Sequence, residues 1–87
     1  MKPTTCPIWG TPARELLAAD YKREIVSPCA GGRYVIFSPA NTLLARRPLD
    51  NREKILLTDW LMGQRRDGEA CPLITSWTLE TVVGRDG

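Results

Sequence analysis

The stretch from Asp50 to Arg66 is the one segment long and periodic enough to organise a chain of 87 residues. Leu56, Leu57, Trp60 and Leu61 recur at i, i+1, i+4 and i+5, flanked by Ile55 and Met62, which is the apolar stripe of an amphipathic helix turned toward a core. Arg52, Lys54, Asp59, Arg65 and Arg66 fall on the wet side. Asp50 is placed to cap the N-terminus, Glu53 three residues on can reach back in a capping box, and Gly63 or Gly68 offers the stop. A helix over 51–66 is expected, with the remainder packed against its stripe.

A chain of this length makes one domain with one core, and its 43% apolar residues leave little to spare. A core this small supplies only about 3–5 kcal/mol, so a staple or a partner still matters. Three cysteines, Cys6, Cys29 and Cys71, cannot all pair within the chain, and no apolar segment after Lys2 reads as a secretory signal. A reducing, cytoplasmic setting is expected, and no apolar run approaches the ~18–20 residues of a membrane helix. Net charge is +2, from 12 basic and 10 acidic residues, too balanced to announce nucleic acid or a membrane. The absence of histidine removes the commonest general base and metal ligand, and with them the Ser-His and Cys-His triads.

Met1 to Gly10 carries Pro3, Pro7 and Gly10 around Cys6 and Trp9 and reads as a loop or knuckle. For Ala13 to Asp20, strong helix formers argue for a turn or two of helix. The strand-like Tyr21 to Val26 that follows argues for a hairpin through Ala19 to Lys22, and we take the strand. After Ser27 to Gly32, a tight turn, Arg33 to Phe37 is the clearest strand, with Val26 and Val35 expected to face each other. Ser38 as N-cap with Pro39 at the first helical position starts a short helix over Ala40 to Arg46, which Arg47-Pro48 ends. Arg65 to Pro72 reads as a polar loop, Thr75 or Ser76 caps a last helix over Trp77 to Val83, and Gly84 to Gly87 reads as a frayed tail or a cut end.

Two pentads share one shape: Cys6-Pro7-Ile8-Trp9-Gly10 and Ser27-Pro28-Cys29-Ala30-Gly31. Over Pro3 to Phe37 this layout resembles a zinc ribbon, whose two Cys-Pro-x-Cys-Gly knuckles close a tetrahedral site between hairpins. Only Cys6 keeps a ligand position. Trp9, Ser27 and Ala30 occupy the other three, and Cys29 sits one place early. The residues leave open generic turns, a ribbon that has lost its metal, and a working zinc site. In the second reading the Trp9 indole fills the space between the knuckles. We expect no zinc and no other cofactor; were a metal held, Cys6 and Cys29 would ligate it. The whole pattern, a ribbon-like head followed by a helix ending Trp60-Leu61-x-x-Gln64-Arg65-Arg66, resembles the N-terminal part of uncharacterised bacterial proteins, which implies no activity.

The order of helices and the Thr75-Ser76 turn also resembles a helix-turn-helix. From Pro39 onward, however, seven basic residues meet seven acidic ones, and the last helix has no basic residue before Arg85. No pair of carboxylates or activated nucleophile emerges, so no catalytic residue is assigned. The expectation is a single α+β domain over 1–87: a small antiparallel sheet with ribbon-like hairpins in 1–38, two to three helices over 39–83, and a tail at 84–87. Its expected role is a protein-interaction module of a bacterial cytoplasmic protein, contacting a protein partner or a downstream domain through Trp77, Arg65 and Arg66. A nucleic-acid-binding module is the alternative.

Overall fold

A computed structural model describes residues 2–19 and 21–85. The architecture is α+β: a five-stranded sheet, antiparallel except at one edge, with the helices in the C-terminal half. The strands lie in chain order: β1 (Lys2–Thr5), β2 (Pro12–Ala19), β3 (Lys22–Ser27), β4 (Gly32–Phe37) and β5 (Leu73–Ile74). Propensity alone would have made Ala13 to Ala19 helical. Pairing to β1 on one side and β3 on the other overrides it, with Ala19 opposite Lys22 as the hairpin requires. Asp20 lies outside the described residues.

Two strands differ from the sequence reading. Lys2–Thr5, read as loop, pairs with β2 along its whole length. Leu73–Ile74, read as chain between loop and helix, lies parallel to β4, and the Val35 N–H donates to the Pro72 carbonyl at 2.8 Å. A parallel neighbour needs a long return path, which the two intervening helices provide. The β3–β4 register also differs: a four-residue turn pairs Ser27 with Gly32, so Val26 faces Arg33 and Val35 faces Glu24.

Strand alternation then sorts the side chains. Ile25, Tyr34, Ile36 and Ile74 share the face covered by helices and are fully buried, while Val26, Glu24, Arg33, Val35 and Leu73 take the other. Between β1, β2 and helix α1 (Ser38–Arg46) the covered face admits one ion pair, Arg23 with Glu15 at 3.0 Å. The same guanidinium also donates to Thr4 and Asn41, so this largely buried charge is fully engaged.

The N-cap of α1 is Phe37, and Ser38 and Pro39 fill the first two helical positions, one residue earlier than expected. Helix α2 (Asn51–Arg66) has the expected capping box between Asp50 and Glu53. It runs through Gly63 and ends at Asp67. Its stripe buries Leu57 and Leu61 completely; Leu56 and Trp60 pack against the core from a half-buried position, and Ile55 and Met62 are exposed. Helix α3 (Ser76–Val83) is capped by Thr75 and closed by Gly84 in the left-handed region, at φ 74°. The chain does not fray there. Arg85, in the stretch read as a tail, is 93% buried: it meets Glu53 at 2.8 Å and donates to the Arg47 and Pro48 carbonyls. Asp86 and Gly87 fall outside the described residues.

Candidate functional site

The two pentads form two turns at the same end of the sheet, and helix α2 lies across both. In the first, the Gly10 N–H donates to the Cys6 carbonyl at 2.8 Å and Gly10 takes a left-handed φ of 70°. In the second, a 3-10 turn over Pro28–Ala30 is capped by the Ser27 hydroxyl. Trp9, which the sequence suggested would fill the space between the two turns, is partly buried against the core and held by α2. Its indole N–H donates to the Thr58 hydroxyl at 2.9 Å, and the Lys54 ammonium sits 5.7 Å from the ring centroid. Seven residues further along α2, Arg65 donates to the Ala30 carbonyl at 2.9 Å and to the Arg33 carbonyl at 2.7 Å. Thr58 and Arg65 are about 10 Å apart along one side of the helix, so α2 bolts both turns to the same rod. Gly31 belongs to this latch: at φ 80° it favours glycine, and an added Cβ would lie 2.9 Å from Arg65 Nη1.

Arg65, expected on a wet interaction face, is half-buried and spends donors on two backbone carbonyls. Its neighbour Arg66 is exposed. The cysteines do not converge. Cys6 is buried with its Sγ 3.2 Å from the Tyr34 hydroxyl, Cys29 is exposed, and Cys71 is half-buried beside Glu24. Burial, and then the neighbouring Cys6, pushes the Tyr34 hydroxyl well above the ordinary tyrosine range. Burial also raises the Cys71 thiol, with the Glu24 carboxylate adding to the effect, so this sulfur stays protonated and is a poor nucleophile at neutral pH. Among the described residues no three His, Cys, Asp or Glu side chains gather as a metal-binding group.

An open groove of about 600 Å³ lies at the opposite end of the sheet, between α1 and α3. Pro39, Thr42, Leu43 and Arg46 line one wall, Ser76 and Glu80 the other, and Tyr21 from the β2–β3 connection closes one end. The Ser38 N–H donates to the Tyr21 carbonyl at 2.8 Å, which fixes that connection against the start of α1. Tyr21 is 76% exposed and Trp77 66% exposed, the two most exposed large apolar side chains among the described residues. Trp77 does not line the groove; it stands on α3 between Ser76 and Glu80, which do. Trp77 was named from the sequence as a residue of the expected contact surface. Tyr21, Arg46 and Glu80 were not, because nothing in the linear order signals that a hairpin turn, the end of one helix and the middle of another share a wall.

No helix among the described residues is long and apolar enough to cross a membrane. No family model matches the chain, and no curated protein or solved structure is significantly similar to it.

Proposed function

We propose that this domain is a non-catalytic protein-interaction module whose contact surface is the groove between α1 and α3, with Tyr21 in its lining and Trp77 on α3. The observation that carries this reading is the exposure of two aromatics, Tyr21 in the groove lining at 76% and Trp77 at 66% on the helix that supplies Ser76 and Glu80. An indole and a phenol left in water are unfavourable for the isolated domain, and such residues are the usual anchors of protein interfaces. The reading draws further support from the other end of the molecule, where the turns are tied to α2 and Arg65 is engaged with the Ala30 and Arg33 carbonyls. The latched head is then a rigid support that presents the groove, a ribbon-like form in which a helix does the joining a metal would do.

The test is a photo-reactive amino acid at Thr42, in the groove wall, and at Arg52, exposed on α2, in cells that make the protein. Adducts should form from position 42 and not 52, and Trp77→Ser or Tyr21→Ser should abolish them while the variants stay folded. No adducts from position 42, or adducts equally from 52, would rule out this surface, and adducts from 42 that persist in both variants would rule out the two aromatics as its anchors.

A further inference from the structure

Resting on that reading of the groove, we propose that its occupant is a second copy of this chain, docked about a two-fold axis running along the groove. The argument is charge complementarity. The groove has one cationic side chain, Arg46 on the α1 wall, and one anionic side chain, Glu80 on the α3 wall. Both are exposed, and neither enters an ion pair among the described residues. A two-fold axis parallel to the groove places the α1 wall of each copy, which carries Arg46, over the α3 wall of the other, which carries Glu80. An isologous contact needs such a self-complementary patch. An axis across the groove would instead set like walls together and repel, which fixes the orientation.

The same operation brings α3 of each copy, with Glu80 and Trp77, against the wall carrying Leu43 and Pro39 of its neighbour, while Tyr21 closes the end. Standard interfaces bury about 800 Å² per partner, roughly 15% of this domain's 5263 Å². Exposed aromatics and two exposed ion pairs fit a reversible dimer whose strength falls with salt.

Sedimentation equilibrium of the purified protein, over about 1 μM to 1 mM, reads the outcome as a dissociation constant. Wild type should dimerise within that range. Arg46→Glu and Glu80→Arg should each weaken the dimer about tenfold or more by setting like charges together, and the double reversal should restore it. Because the double variant carries both substitutions, its recovery cannot be ascribed to folding. A monomer throughout the range, or a dimer indifferent to the single reversals, would overturn the proposal. A monomer whose adducts from position 42 still depend on Trp77 would overturn the second copy as occupant and leave the contact surface standing; a monomer without such adducts would remove both.

Discussion

At the end of the sheet where β1 turns into β2 and β3 into β4, Trp9 and Arg65 find partners across the chain, at Thr58 and at the Ala30 and Arg33 carbonyls. At the other end, where Tyr21 leads into β3 and β4 runs into α1, Tyr21 and Trp77 remain in solvent. Both ends use a tryptophan and an arginine. In the first they are internal bolts; in the second, Trp77 and Arg46 have no such side-chain anchor among the described residues. What differs is whether α2 reaches them. The same residue type is structural where a long helix crosses a turn and available where only short helices stand, so residue identity alone does not separate scaffold from surface.

The sharpest way to break this contrast is to remove the rod itself. Leu61 is fully buried beneath α2, and Leu61→Ala should cost about 2–5 kcal/mol, a large share of the ~5–15 kcal/mol of a small domain. Urea denaturation checks it, and a loss below 1 kcal/mol would show that the α2 stripe is not the centre of the core. Next in size is the latch. Arg65→Ala removes two charge-assisted bonds to carbonyls, one of them exposed to solvent, and should cost about 1.5–3 kcal/mol in all. Gly31→Ala adds a left-handed strain of about 1–3 kcal/mol and crowds the Arg65 guanidinium. The two should be non-additive in a double-mutant cycle, because deleting Arg65 leaves space for the new methyl group. Strict additivity would show that turn and helix are not joined through this arginine.

Where the chain's own spacing determined an element, the sequence was readable. The Asp50–Glu53 box, the Thr75 cap and the 51–66 span follow from residues three and four apart. The strand over 12–19 was recoverable only because Tyr21 to Val26 supplied a plausible partner. Contacts set by distant segments were not legible. A two-residue strand such as Leu73–Ile74 has no periodicity of its own and exists because β4 lies beside it. Arg65 reads as solvated on any helical wheel, since the carbonyls it binds come from residues 30 and 33. Arg85, after a glycine and near the end of the sequence, looks like tail until Glu53 is placed next to it. Of the candidate surface, Trp77 was the residue that the sequence offered; the groove walls depended on tertiary packing.

A smaller effect concerns the second anchor of α2, the Glu53–Arg85 pair. The Arg85 guanidinium, with the Asp50 backbone N–H, lowers the Glu53 carboxyl from 4.5 to about 2. A carboxylate depressed in the folded state adds stability that is present above the unfolded pKa and lost as pH falls through the folded one. The contribution should therefore be complete above about pH 4.5 and disappear between there and about pH 2. In thermal melts the wild type should lose its advantage over Glu53→Gln across that window. An advantage that is constant with pH would show that the pair is not formed.

The smallest expected change is the one that most sharpens the comparison of the two ends. Trp77 is 66% exposed, so Trp77→Ser in dilute protein should alter stability by no more than about 0.5 kcal/mol, the usual range for a surface substitution away from caps and buried contacts. Trp9→Phe at the latched end keeps most of the apolar volume and should still cost more, about 0.5–1.5 kcal/mol, because the Thr58 hydroxyl loses its donor. Iodide quenching gives an independent readout: Trp77→Ser should remove the most accessible part of the emission, and Trp9→Phe should leave that part in place. The order of the two stability losses is what matters. If Trp77→Ser proves the more destabilising, the indole is closing the core rather than standing beside a groove, and the distinction between a bolted end and an open one fails.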